Sequence, residues 1–196
     1  ILGAGRQGTA AGYALLRFFG AESVRLLDSD GEAAARAAAR LDALIGRPVA
    51  MWGKADVRDA ESLAAALAGA DGVLSAVPYG LNPIAARAAV LAKAHFTDLG
   101  GNTDVVRAEL ALDPEAKAAR VSIVPDAGLA PGLSNALAAL ALARLPTAVS
   151  VRMWCGGLPQ EPQGPLRYKL VFNIGGLTNE YTGNAVVLRK GRVTEV

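Results

Sequence analysis

Two apolar residues, Ile1-Leu2, run into Gly3-Ala4-Gly5-Arg6-Gln7-Gly8, and this G-x-G-x-x-G opening restricts the fold more than any other stretch. Gly3 permits a tight turn out of a strand. Gly5, without a Cβ, lets backbone touch a pyrophosphate. Gly8 lets the following helix pack close to the sheet. The helix amino end then offers unpaired N–H groups and a partial positive charge to phosphates. Glycine turns also arise for geometric reasons alone, so the surroundings decide. A helix is expected over Ala10–Phe19 and a strand over Val24–Leu27, and Asp28 ends that strand. The acid falls about 20 residues after the motif, where a ribose-binding carboxylate belongs. The motif therefore reads as a dinucleotide site, with Gly3, Gly5, Arg6, Gln7 and Gly8 at the phosphates and Asp28 at the adenosine ribose.

From there strands and helices alternate. Helices are expected over Gly31–Leu44, Ala60–Leu67, Asn82–Ala94 and Thr103–Arg120, the last broken at Pro114 into two shorter ones. Strands are expected over Pro48–Trp52, Gly72–Val77, His95–Leu99 and Val121–Val124. Asn82 is expected to cap its helix, with Pro83 in the first turn. Such alternation specifies an α/β fold, a Rossmann-type doubly wound parallel sheet. After Gly128 the pattern changes. One apolar helix, Pro131–Leu145, precedes strands at Val149–Trp154 and Arg167–Phe172 and a hairpin, Ala185–Arg189 with Arg192–Val196, around Lys190-Gly191. This reads as part of a second, mixed α/β domain, giving domains over 1–128 and 129–196. Only two residues precede Gly3, whereas a first strand has about five or six. Arg192–Val196 resembles a strand cut short, so the chain reads as a fragment.

Ligands of open α/β sheets lie beyond the carboxyl ends of the strands. Asp28 accepts well from ribose hydroxyls and repels a 2′-phosphate, and Ser29-Asp30 follows it rather than arginine, so NAD is favoured over NADP; the alternative role is a turn or helix-cap aspartate. Asp56-Val57 either flanks the adenine or caps the next helix. Val77-Pro78-Tyr79 ends the strand nearest the middle of the cofactor, with Tyr79 a lining residue of the nicotinamide pocket or a ring on the sheet edge. Asp98 orients substrate or caps the helix at Thr103. Asp126 follows the sixth strand, and Cys155 precedes Gly156-Gly157 as a proton-transfer or packing residue, with packing favoured. Glu180-Tyr181 meets an amine substrate or has a surface or subunit-contact role. His95, the single histidine, begins a strand and reads as structural. One His and one Cys far apart supply no zinc site.

The 196 residues carry a formal net charge of +2 without a basic stripe, which argues against nucleic acid as a partner. No apolar run approaches the roughly 18 residues of a membrane span. A lone cysteine excludes an intrachain disulfide and fits a reducing, cytoplasmic setting.

Ser75–Tyr79, Phe96–Gly101 with its D-L-G-G, Val124–Gly132 with its G-L-A-P-G, Gly156–Pro159 and Pro165–Tyr168 together resemble the saccharopine dehydrogenase-like family, most of all its L-lysine 6-dehydrogenase branch. The resemblance runs the length of the chain. It implies an NAD(P)-dependent oxidoreductase, homo-oligomeric through its second domain, that oxidises a C–N bond of a small amino-acid substrate. In the lysine branch the ε-amine becomes the semialdehyde and ammonia leaves. The saccharopine branch tends to read D-P-G where this chain has Ala130-Pro131-Gly132, yet Cys155 before G-G-L-P is saccharopine-like. Tyr79, Asp98, Asp126 and Cys155 are the implied reaction-site residues, and Arg167 and Lys169 are candidates for a substrate carboxylate. A saccharopine or carboxynorspermidine-type dehydrogenase and a non-catalytic NAD(P)-binding sensor are the alternatives.

Overall fold

In the computed structural model the described residues are all but 158, 166, 168–173, 180 and 185. Two compact units succeed one another along the chain, Ile1–Cys155 and Gly156–Val196.

The first unit is built on parallel strands. β1 (Val24–Asp28) pairs with β2 (Ala50–Lys54), and β3 (Gly72–Ser75) pairs with β4 (His95–Asp98), which pairs with β5 (Ile123–Val124). Leu2 joins the two sets: it bridges Leu27 of β1 and Ser75 of β3 in parallel fashion. The spatial order is thus β2-β1-Leu2-β3-β4-β5, with the chain's first residues at the centre.

Helices cover both faces, and the pleat explains how. Successive strand residues point to opposite sides, so the neighbours Leu26 and Leu27 enter different cores. Leu26 packs with Ala34, Ala37, Ala38 and Leu41 of α2 (Gly31–Ile45) and Leu16 of α1 (Arg6–Phe18). Leu27 packs on the other face with Leu63 of α3 (Ala60–Ala66), the alanines of α4 (Asn82–Leu91) and Phe96. Ala85, Ala86, Ala88 and Ala89 are fully buried, and their small side chains let α4 lie close to the sheet.

The remaining boundaries reflect local chemistry. Asp30, not Asp28, caps α2: its carboxylate accepts from the N–H of Glu32 and Ala33. Asp59, not Asp56, caps α3. Thr103–Arg120 is divided, as Pro114 predicts, into α5 (Thr103–Leu110) and α6 (Asp113–Ala119), and Asn102 rather than Asp98 caps α5. Asn82 does not cap α4. A 3-10 turn at Tyr79–Leu81 already supplies the first backbone hydrogen bonds, and the Asn82 side chain turns inward to accept from the Ser75 hydroxyl at 2.8 Å. α7 (Leu133–Arg144) begins after Gly132, and its Leu133, Leu137 and Leu140 are exposed.

The strand expected over Val149–Trp154 is absent. Its alternating apolar residues suit a sheet, but backbone ladders need a partner, and here Val149 is fully exposed and Trp154 is 84% exposed. In the second unit, α8 (Ile174–Asn179) precedes an antiparallel hairpin of β6 (Val186–Arg189) and β7 (Arg192–Glu195). Lys190 and Gly191 both have positive φ, the geometry of a tight two-residue turn. The strand expected over Arg167–Phe172 falls almost wholly outside the described residues. No described helix is long and apolar enough to cross a membrane.

Candidate functional site

The glycine turn has the geometry its sequence requires. Gly3 has φ +90, and a Cβ there would lie 2.8 Å from the Ala76 carbonyl oxygen. A Cβ on Gly8 would run into the Gly3 carbonyl oxygen, so only glycine lets α1 start this close to the strand end. Gly5 differs: a Cβ there would meet nothing within 4 Å. The protein's own packing leaves that position open, as a motif that admits a ligand should. Gly5 is the N-cap of α1, no side chain caps the helix, and its first turn contains no acid. Arg6 and Gln7 are exposed there, so unpaired N–H groups and the positive end of the helix face outward. These features fit a dinucleotide pyrophosphate.

Asp28 closes the turn from the next strand. Its Oδ2 accepts from the N–H of Ala4 at 2.8 Å, and its Oδ1 accepts from the N–H of Asp30 at 2.9 Å. The carboxylate is thereby fixed beside the fingerprint with lone pairs to spare for hydroxyl donors. Next to Gly5, a groove of about 700 Å³ between α1 and α2 is bordered by Arg6, Arg36 and Arg40. Arg36 is ion-paired with Glu32 at 3.4 Å and Asp30 at 3.8 Å. A second cavity of about 500 Å³ lies at the amino ends of the strands, beside Val24, Gly72 and His95. That edge is opposite the one where ligands of such sheets bind.

The other cofactor candidates divide. Val77 lies against Gly3, within the fingerprint's reach, and Pro78 follows it as an exposed residue. The Asp56 carboxylate is taken up by Arg58, with Oδ2–Nη2 at 2.6 Å, and hydrogen bonds from Arg58 hold its pKa down to about 2. Val57 is buried in the core and supports the loop from behind.

At the carboxyl ends of β4 and β5 the structure brings Tyr79, Asp98 and Asp126 together. Gly100 and Gly101 have φ +83 and +143. A Cβ on Gly101 would lie 2.8 Å from Cβ and Cδ1 of Tyr79, so the tyrosine rests on the glycine's bare face. A Cβ on Gly100 would run into the Asp126 carboxylate. Asp126, with φ +61, accepts from the Gly101 N–H at 3.3 Å. Burial raises its pKa; the Gly101 hydrogen bond opposes this, and the charge of Asp98 adds to it. Asp98 is 1% exposed, so its carboxyl is turned into the protein rather than toward a ligand. Its Oδ1 accepts from the N–H of Gly100 at 2.6 Å and of Asp126 at 3.2 Å.

Cys155 is a free, exposed thiol, which removes the packing role expected for it. Its flanking segment lacks the expected strand and joins no sheet among the described residues. His95 has the structural role expected of it: its Nδ1 accepts from the Ser122 N–H at 3.0 Å. Arg167 and Tyr181 are exposed, and Lys169 and Glu180 lie outside the described residues.

Glu109, which no motif singles out, is fully buried beside Asp98. A sequence signal for it exists: Val105, Glu109 and Leu112 share one helical stripe, with an acid where an apolar residue is expected.

Residues 1–124 match the family model described as saccharopine dehydrogenase NADP binding domain, and residues 128–196 match saccharopine dehydrogenase C-terminal domain. The NADP(+), L-glutamate-forming saccharopine dehydrogenase of Saccharomyces cerevisiae is 28% identical over 147 residues, 72% of this chain and 32% of that protein. Mitochondrial alpha-aminoadipic semialdehyde synthase of Bos taurus is 29% identical over 139 residues, 68% of this chain and 15% of that protein. The chain thus spans about a third of the yeast relative's length. The apo structure of L-Glu-forming saccharopine dehydrogenase from Saccharomyces cerevisiae aligns with all of this chain and 43% of its own, at TM-score 0.69 and 23% identity, and so shares its fold. With family models covering both the glycine-turn domain and the segment after it, this chain belongs to the saccharopine dehydrogenase family and carries its NAD(P)-binding domain.

Proposed function

We propose that the whole protein is an NAD(P)-dependent dehydrogenase that oxidises the ε-amine of L-lysine, releasing ammonia. The observation that supports it most is the grouping of Tyr79, Gly101 and Asp126 at the carboxyl edge of the sheet that carries the glycine turn. Ala130, in place of the saccharopine branch's carboxylate, argues for a primary amine over a larger, doubly acidic substrate.

In this reading the turn at Gly3–Gly8 and Asp28 fix the adenosine and pyrophosphate, leaving the far end of the cofactor toward Val77–Tyr79. The nicotinamide, when bound, supplies the hydride acceptor. The chain's part is to hold the substrate C–H at about 3 to 3.5 Å in line with transfer. Tyr79 forms a wall. The amine must lose its proton before carbon gives up hydride, and Asp126, whose pKa burial has raised, is the nearest proton acceptor we assign. The exposed Cys155 thiol is the alternative acceptor. The substrate carboxylate is assigned to Arg167 or Lys169. We further propose a boundary near Gly128 between cofactor and substrate domains, homo-oligomerisation through the latter, and a cytoplasmic setting.

A second reading, saccharopine oxidation, is supported by the names of the relatives, both tied to that secondary amine or its product. The discriminating experiment gives the full-length protein L-lysine, saccharopine and carboxynorspermidine at equal concentration with NAD and NADP. Ammonia release from lysine supports the first reading. Turnover of saccharopine alone overturns it in favour of the second. Cofactor binding without turnover of any amine favours a sensor.

A further inference from the structure

The Asp98–Glu109 pair is a buried acid pair that the fingerprint and the proposed chemistry leave unexplained. Asp98 Oδ1 is spent on two backbone N–H groups, one from each loop at the reaction edge. The Asp98 carbonyl oxygen accepts a third, from Ala127 at 3.0 Å. Asp98 Oδ2 and both Glu109 carboxyl oxygens are buried with no donor facing them among the described residues. Two ionised carboxylates cannot bond each other, because neither can donate. Leaving both charged in a dry site is strongly unfavourable, so such pairs hold a proton instead. A proton on Glu109 lets one of its oxygens donate to Asp98 Oδ2, joining two of the three orphaned oxygens in a carboxyl–carboxylate bond and leaving the third uncharged.

We propose that Glu109 is a positioning residue, a protonated acid that hydrogen-bonds Asp98 Oδ2 and so locks the loops carrying Gly100-Gly101 and Asp126 in register with Tyr79. The inference concerns the same edge as the proposed function and rests on it for any effect on turnover. The lock itself is a property of the fold. The Glu109 pKa is pushed up to about 8, by burial first and then by its partner Asp98 and the negative charge of Asp126. No cation among the described residues contributes to that shift. The one charged residue of α4, Arg87, is exposed, and on α6 Asp113 and Lys117 pair with each other at 2.7 Å. On α5 itself, Arg107 pairs with Asp104 at 3.2 Å.

The sign of the pH effect comes from linkage. An acid whose pKa rises from its ordinary 4.5 to about 8 on folding binds more protons in the folded state between those values. Its contribution to stability is full below about pH 4.5 and is lost as pH rises through 8. The test measures unfolding midpoints of the full-length protein and of Glu109→Gln from about pH 4 to 9, a window that spans the shift. Glutamine keeps the shape and the donor but cannot ionise. The wild type should lose stability toward the alkaline end by a component that Glu109→Gln lacks, and Glu109→Leu should be weaker than Glu109→Gln at every pH. With an active amine substrate, the alkaline fall in kcat should also move upward in Glu109→Gln. Identical pH profiles in wild type and Glu109→Gln overturn the proposal, even if lysine is turned over. Absence of turnover with a differing stability profile retains the lock and removes only the functional reading. Should Glu109→Gln not fold, carbon-13 labelling of glutamate carboxyls in the wild type decides: one titrating near pH 8 supports the pair, and none above the ordinary range overturns it.

Discussion

The main-chain N–H of Ala4 donates to Oδ2 of Asp28 at 2.8 Å, tying the glycine turn to the end of the neighbouring strand. The residue expected to read the ribose is therefore also part of the frame that shapes the phosphate turn. This makes the two roles separable by substitution.

Asp28→Ser should narrow the preference for NAD over NADP that a carboxylate at the ribose imposes. Because the carboxylate also accepts from Ala4 and Asp30, the variant should lose about 1 to 3 kcal/mol of stability. Titrating both cofactors into wild type and variant is the check. A wild type that clearly prefers NADP would contradict the ribose assignment.

Gly5 and Gly8 should separate binding from folding. Gly8→Ala drives a Cβ into the Gly3 carbonyl and should lower the unfolding midpoint sharply. Gly5→Ala has open space, so its cost should stay near the few tenths to about 1 kcal/mol of a poorer N-cap. Its cofactor affinity should nevertheless fall at least tenfold, about 1.4 kcal/mol. Equal cofactor affinity in Gly5→Ala and wild type would show that no phosphate approaches this backbone.

Ser75→Ala should destabilise the protein by about 1 to 2 kcal/mol, because it removes the hydroxyl that donates to the buried Asn82 side chain and leaves that amide oxygen unsatisfied. Denaturant unfolding of the single variants and of Ser75→Ala with Asn82→Leu measures the coupling. Additive losses would show that the two side chains act independently.

Cys155 should react with a thiol reagent in the native protein, at a rate close to that of the unfolded chain, since it is exposed. Cys155→Ser should leave unfolding within about 0.5 kcal/mol of wild type. Against that unchanged stability, a tenfold or greater loss of turnover would assign the thiol to proton transfer. A protected thiol would contradict the exposed placement.

The parts legible from sequence were those governed by local spacing. The distance from Gly3 to Asp28, the alternation of elements, the break at Pro114 and the Lys190-Gly191 turn are all fixed within short segments. Where competition between nearby partners decides, spacing was insufficient. Asp30 and Asn102 took the caps open to Asp28 and Asp98, and a 3-10 turn freed Asn82 to bond Ser75. Glu109 was hidden for a different reason. An acid in R-A-E-L reads as solvated, its place on the Val105–Leu112 stripe is the one local sign against that, and the packing of its helix against Asp98 and its neighbours makes it a buried group. The Val149–Trp154 segment shows the converse, β-prone residues with no ladder to join.

Leu2 bridges Leu27 on one side and Ser75 on the other, so the backbone ladders of the two sets of strands are joined at the residue directly before the phosphate turn. Splaying the sets apart would open the N–H groups of Leu2, Gly3, Leu27 and Ala76, all donors across that seam. A ligand seated on the turn binds only the closed arrangement and must suppress that opening by mass action. The exchange of those four amides with deuterated solvent is therefore a built-in gauge of dinucleotide occupancy, readable without any substrate or turnover.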